Sequence, residues 1–211
     1  MTAADKITSV RIILAPIFFV VFYFDRFFAT VLSQLVGYWR YWQVPALWII
    51  FFIAQLSDMM DGMAARKRNE TSDFGKFFDP FADTFIQVTL FYCFVMSGIL
   101  PLIPFLLILY REFAILFVRN LMQKKGISMG ARIGGKIKTI SYIIAAILAL
   151  LVFSLRFVTP VFVFFGLSAI HDRLIIFFSA AAPLAFWLAL ILALASFADY
   201  VIVYRKSVGV T

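Results

Sequence analysis

Charge, cysteine and histidine are all scarce in this chain. Only 14% of its 211 residues are charged and 64% are hydrophobic, whereas a soluble domain averages about 25% charged and about 45–50% apolar. That balance excludes an ordinary soluble domain and predicts an integral membrane protein. At roughly 20 residues per span, the length accommodates about six helices in one membrane domain and leaves no room for a second, soluble one. The single cysteine, Cys93, excludes an intrachain disulfide framework, and within the apolar run FYCFV it reads as a small packing residue. The single histidine, His171, lies beside Asp172 and Arg173 on the predicted external side, so a catalytic role would need it on the wrong face. A cleavable leader pattern is missing as well. The first apolar segment is long, and no small-residue cleavage site follows it cleanly, so it is expected to stay as a helix. Internal repeats and low-complexity tails are absent.

What is present is apolar sequence in long runs, 27 phenylalanines and a net charge of +8. The fold class expected is all-α integral membrane, with six transmembrane helices, a cytoplasm-facing polar cavity and a short amphipathic N-terminal segment over residues 1–10. The first span runs from Thr8 and Arg11 to Asp25 and Arg26, with Pro16 inside it as a possible kink. Tyr38, Trp39, Tyr41 and Trp42 beside Arg40 resemble an interfacial aromatic belt. The second helix begins near Pro45 and runs into Asp58 and Asp61. The third runs from Asp73 to Met96, the fourth over 104–123, the fifth over 139–157 and the sixth over 174–203. Residues 158–173 are expected to connect the last two helices or to re-enter the membrane. With both termini inside, fourteen Lys and Arg fall on the internal side and four on the external side, with Arg111 inside a helix. Such a bias places the internal loops in the cytoplasm. The positive charge therefore reads as membrane topology and attraction to anionic lipid headgroups and substrates, and not as nucleic-acid binding.

One stretch stands apart. Ser57 to Thr84 carries six of the eleven acidic residues, two glycines and four basic residues, between apolar flanks. Asp58 and Asp61 are three apart and Asp79 and Asp83 four apart, so each pair shares a helix face. Four carboxylates drawn together repel one another unless protonated or bridged by cations. A divalent-metal site at the membrane edge resolves that repulsion, since carboxylates are costly in the bilayer centre. A single aspartate here would read as an ion-pair partner of Arg66, Lys67, Arg68 or Lys76. The full pattern, D-x2-D-G-x2-A-R-x8-G-x3-D-x3-D, fixes eight positions over 26 residues, namely Asp58, Asp61, Gly62, Ala65, Arg66, Gly75, Asp79 and Asp83.

This pattern resembles the signature of the CDP-alcohol phosphatidyltransferase family at every position. The resemblance implies two Mg²⁺ or Mn²⁺ ions held by Asp58, Asp61 and Asp79, with Asp83 as general base and possible fourth ligand. Hard cations take carboxylate oxygens and bind well where phosphates complete the shell, and two of them can clamp a pyrophosphate. A carboxylate beside the ions but not fully committed to them can deprotonate a hydroxyl. Gly62 and Gly75 allow a nucleotide close to the backbone, and Arg66 can pair with a phosphate. Thr8 and Arg11 form T-x-x-R, a pair that the family often places near the nucleotide phosphates. The Asn that commonly precedes that pair is missing here, with Ala4 and Asp5 in its neighbourhood.

A second block, REFAILFVRN followed by KKGISMGARIGGKIKT, resembles the phosphatidylglycerophosphate synthase branch of that family. Arg111 and Arg119, at i and i+8, share a side of the fourth helix, and Lys136 and Lys138 begin the fifth. Together they could bind the phosphate of an anionic acceptor, Arg through its fork and Lys as a point charge. Pairing of Arg111 with Glu112 is not expected, because adjacent helix positions diverge. Lys124, Lys125 and Arg132 read as ordinary internal charge. Gly134-Gly135-Lys136 is not a P-loop, because its spacing is wrong. The implied substrates are CDP-diacylglycerol and sn-glycerol 3-phosphate, and the implied setting is the cytoplasmic membrane, with surrounding lipids and a homodimer. Other acceptors considered are inositol phosphate, serine or a choline-like alcohol. A divalent-cation transporter would need carboxylates along a pore and would leave Gly62, Arg66 and Gly75 unexplained.

Overall fold

A computed structural model describes residues 3–28, 42–57, 73–124 and 133–208. Its described residues form six α-helices: α1 (Ala3–Phe28), α2 (Trp42–Ser57), α3 (Asp73–Met96), α4 (Leu102–Lys124), α5 (Ile133–Phe164) and α6 (Ser168–Val208). Three of them carry windows long and apolar enough to cross a membrane: Thr8–Asp25, Gly134–Phe164 and Ser168–Arg205. Their outward faces are apolar too, as Leu184, Leu188 and Ile191 on α6 illustrate. Exposed apolar surface on that scale suits lipid and not water. The chain divides into two compact units, Met1–Cys93 and Phe94–Thr211.

In the first unit, the start of α2 is tied to the end of α1. Gln43, buried at the start of α2, donates through Nε2 to the carbonyls of Val21 (3.1 Å) and Phe22 (3.0 Å) near the end of α1. A buried amide must find such partners, and these fix the helix ends together. Helix α3 runs parallel to α1, with Thr8 meeting Asp79, Arg11 meeting Asp83 and Phe19 meeting Tyr92 (ring centroids 6.1 Å). Both helices advance together through these pairs, so their N-terminal ends lie on the same side of the unit.

In the second unit, α6 packs along α5 and against α4. Arg111 and Arg119 of α4 meet Ala193 and Tyr200 of α6, so those two helices run parallel. Helix α5 runs antiparallel to α6, because Gly134 lies against Ser196 while Leu155 and Thr159 meet His171. A Cβ at Gly134 would stand 3.5–3.7 Å from Ser196, so the glycine marks a close helix approach. Gly98 (φ 71) and Gly166 (φ 69) end α3 and α5 in the left-handed region. After α5, Leu167 N–H bonds Phe162 O (2.8 Å) and Gly166 N–H bonds Val163 O (3.1 Å), a Schellman cap that satisfies the last carbonyls.

Three expectations need correction. Residues 3–10 are the first turns of α1 and not a separate amphipathic segment, because nothing in Thr8–Arg11 breaks the helical ladder. Helix α5 extends from Ile133 to Phe164 instead of 139–157, and α6 begins at Ser168 instead of 174. The segment 158–173 is therefore almost wholly helical, broken only by the three-residue turn 165–167. Arg156 and the His171-Asp172-Arg173 cluster looked like span ends, but polar side chains interrupt an apolar pattern without stopping a helix. Gly166, with its positive φ, supplies the stop. The aromatic cluster Tyr38, Trp39 and Tyr41 lies outside the described residues, while Trp42 is exposed at the start of α2.

Candidate functional site

In the first unit, Asp79 and Asp83 stand one turn apart on α3. The four-residue spacing puts both carboxylates on one face, and that face meets the N-terminal half of α1. The Thr8 hydroxyl donates to Asp79 Oδ1, and Arg11 Nη1 donates to Asp83 Oδ1. Arg11 Nη2 also reaches Thr8 Oγ1 at 3.5 Å. The Arg11 side chain is only 2% exposed, whereas that of Asp83 is 47% exposed. The pair thus has a dry cationic end and a wet anionic end. Gly75 lies on α3 one turn before Asp79. Asp58, Asp61, Gly62 and Arg66 lie outside the described residues.

These carboxylates suit a hard divalent cation. Each accepts a protein donor on Oδ1, and among the described residues no donor is bonded to either Oδ2. Outer donors of this kind orient ligating carboxylates. The candidate ligand atoms are all carboxylate oxygens, which is what Mg²⁺ or Mn²⁺ prefers. Among the described residues, no group of three metal-ligating side chains is complete, since half of the expected ligand set is not described. Thr8 and Arg11, expected near nucleotide phosphates, are bonded to the third and fourth signature aspartates.

In the second unit the acceptor candidates behave differently from one another. Eight residues along α4 leave Arg111 and Arg119 about 80° apart in projection, and both reach α6. Arg111 is buried. Its Nε donates to Ala193 O (3.1 Å) and its Nη1 to Glu112 Oε1 (2.9 Å). The same Oε1 accepts Lys138 Nζ (2.8 Å) and the Tyr142 hydroxyl (2.9 Å) from α5. Lys138 Nζ also sits 4.5 Å from the centre of the Tyr142 ring, a cation–π contact. Arg119 donates through Nη2 to the Tyr200 hydroxyl (3.1 Å) and stacks 5.4 Å from that ring's centre. Lys136, one turn after Ile133, is exposed. The structure therefore joins Arg111 to Lys138 through Glu112, holds Arg119 on α6, and leaves Lys136 at the surface.

The ion pair between Arg111 and Glu112 overturns the expectation that adjacent positions would not meet. Their Cβ atoms do diverge, but an arginine is long enough to turn back beside its own helix. In an apolar bundle an uncompensated carboxylate costs more than that rotamer. Tyr142 and Tyr200 were not singled out from the sequence, and Glu112 entered there only as a neighbour not expected to pair with Arg111. Glu112 carried a signal, as the sole acid in α4, since ionisable residues in apolar helices seek partners. Tyr142 and Tyr200 had none, because a tyrosine in an apolar helix looks like packing. His171 is buried, with Nε2 near Leu155 O (3.0 Å) and Thr159 Oγ1 (3.2 Å). It ties α6 to α5.

Residues 1–195 match the family described as CDP-alcohol phosphatidyltransferase. The chain is 34% identical over 200 residues to the CDP-diacylglycerol–glycerol-3-phosphate 3-phosphatidyltransferase of Treponema pallidum, covering 95% of this chain and 88% of the relative. It is 34% identical over 172 residues to the Bacillus subtilis protein of the same name, covering 78% of this chain and 83% of that one. A probable phosphatidylglycerophosphate synthase of Mycobacterium tuberculosis is 30% identical over 136 residues, covering 64% of this chain and 59% of the relative. With a family match over nearly the whole chain, an intact aspartate signature and two relatives aligned over most of their length, this chain belongs to the CDP-alcohol phosphatidyltransferase family.

Proposed function

We propose that this chain is a metal-dependent transferase that moves the phosphatidyl group of CDP-diacylglycerol to sn-glycerol 3-phosphate. CMP and phosphatidylglycerophosphate are the products. The observation that carries the chemistry is the pairing of Asp79 and Asp83 with Thr8 and Arg11 across α3 and α1. It supports a site in which the last two signature carboxylates are oriented by protein donors and keep oxygens in reserve. The activity named for the Treponema and Bacillus relatives supports the choice of substrates.

Asp58, Asp61 and Asp79, with Asp83, would hold two Mg²⁺ or Mn²⁺ ions, which when bound neutralise charge on the pyrophosphate and its leaving phosphate. Asp83 takes the proton of the acceptor hydroxyl through the oxygen that Arg11 does not hold. The acceptor oxygen then bonds to the diacylglycerol-linked phosphorus, the bond from that phosphorus to the bridging oxygen breaks, and CMP leaves with the electron pair. Gly62 and Gly75 admit the nucleotide close to the backbone, and Arg66 pairs with its phosphates. Thr8 and Arg11 support nucleotide binding by holding the carboxylates beside it. Arg111, Arg119, Lys136 and Lys138 supply positive charge for the acceptor phosphate. The protein works as a six-span, multi-pass homodimer in the cytoplasmic (inner) membrane, with its active site facing the cytoplasm. The three long apolar helices support membrane insertion, and the excess of basic residues on one side supports the orientation.

The test supplies purified protein with CDP-diacylglycerol, Mn²⁺ and a panel of acceptors, and measures CMP release. Release with glycerol 3-phosphate, abolished by EDTA, is expected. Release only with inositol phosphate, serine or a choline-like alcohol overturns the acceptor, and release with none overturns the enzyme reading.

A further inference from the structure

The acceptor cluster poses an electrostatic problem. Arg111, Arg119 and Lys138 are cations on helices that bury much of their surface in apolar surroundings, and both arginines are near enough to Lys138 to repel it. Cations in such a medium repel strongly and lose hydration, so they assemble only around a counter-charge. Among the described residues, Glu112 is the one carboxylate bonded to any of the three. It receives Arg111 and Lys138 on a single oxygen, and Tyr142 donates to that same oxygen. Arg111 is pinned a second time by Ala193 O, and the Tyr142 ring lies beneath the Lys138 ammonium. The two ion pairs supply the counter-charge, and the contacts with Ala193 O and Tyr142 fix direction.

We propose that Glu112 is the positioning residue of the acceptor site, a built-in counter-ion that holds Arg111 and Lys138 ready for an anion while leaving the cluster unsaturated. Arg111 and Lys138 bring two positive charges to the single charge of Glu112, so the bonded group stays net positive. A phosphate monoester carries about −1.5 to −2 at neutral pH and supplies the charge that Glu112 does not. Neutral and zwitterionic alcohols supply none. The donors remaining on Arg111 Nη2 and Lys138 Nζ have no protein acceptor among the described residues, and those are the donors a phosphate would take. This inference rests on the proposed acceptor chemistry and names the residue that organises it.

The test is initial-rate kinetics of CMP release by the full-length protein in lipid nanodiscs, varying glycerol 3-phosphate and CDP-diacylglycerol separately. Glu112→Gln keeps the shape and removes the charge. It is expected to raise the KM for glycerol 3-phosphate about tenfold or more, the scale of one lost charge-assisted hydrogen bond, with the KM for CDP-diacylglycerol changed less than about twofold. Glu112→Asp, which restores the charge on a shorter stem, should recover part of the loss. Tyr142→Phe, which removes one donor from Glu112 without changing charge, should shift the same KM in the same direction by a smaller factor. It serves as the measurement if the Gln variant does not fold. An unchanged KM for glycerol 3-phosphate in a folded variant overturns the proposal. A lowered KM also overturns it, because Glu112 would then compete with the phosphate. If Lys138→Gln and Arg111→Gln raise that KM while Glu112→Gln and Tyr142→Phe do not, the acceptor site stands and the role of Glu112 falls. If none of the four moves it, the acceptor site itself is misplaced.

Discussion

The Arg11–Asp83 pair offers a quantitative check on the α1–α3 junction. Its cationic end is 2% exposed and its anionic end 47% exposed. A fully exposed pair contributes about 0.2–1 kcal/mol, while breaking a fully buried one costs about 3–5 kcal/mol. This pair lies between those limits, so its coupling should be about 1.5–3 kcal/mol, the range for a hydrogen bond to a charged group. A double-mutant cycle isolates the coupling. Arg11→Met keeps the apolar stem that packs against neighbours and removes the guanidinium, and Asp83→Asn removes the carboxylate charge. Unfolding of the wild type, both single variants and the double variant by SDS in mixed micelles, followed by loss of helical circular dichroism, gives the four free energies. The double variant should be less destabilised than the sum of the singles by about 1.5–3 kcal/mol. Coupling below about 0.5 kcal/mol, the limit of additivity, would mean that Arg11 and Asp83 act independently, and the parallel register of α1 and α3 would lose its principal polar support.

Asp83→Asn should abolish CMP release while leaving CDP-diacylglycerol binding largely intact in an equilibrium binding assay; an equal collapse of binding would make Asp83 primarily a metal ligand. Arg119→Ala should raise the KM for glycerol 3-phosphate, and Tyr200→Phe should do so more weakly, since it removes the hydroxyl and keeps the ring under the guanidinium; an unchanged KM in the first variant removes Arg119 from the acceptor site. Gly134→Ala should be nearly neutral in SDS unfolding, because its Cβ would meet Ser196 at ordinary contact distance. Gly134→Leu should cost about 1–3 kcal/mol by overpacking, and equal stability of the two would show that α5 and α6 do not approach there.

The carboxylate signature was legible because its information is local. Metal ligation and helical spacing both act within a turn or two, so Asp79 and Asp83 could be assigned to one face from their spacing alone. Helix α3 was legible for the same reason, since Asp73 opens it and the polar turn after Met96 closes it. The end of α5 was not, because Arg156 and Thr159 imitate a boundary. Their partners, Ser97 O for Arg156 and His171 for Thr159, come from the turn after α3 and from the far side of the α5–α6 turn.

Read alone, the sequence determined the class of the protein: an apolar, helical, membrane-compatible chain with a phosphatidyltransferase signature. Composition, period and motif spacing are properties of neighbours along the chain. Only the tertiary structure decided who partners those residues. It set Thr8 and Arg11 on the aspartates of α3, turned Arg111 back onto the glutamate beside it, and placed Lys138 and Tyr142 on that same oxygen. Such choices depend on which helices lie side by side and on how costly an unpaired charge becomes once water is excluded. Neither quantity can be read from residue order.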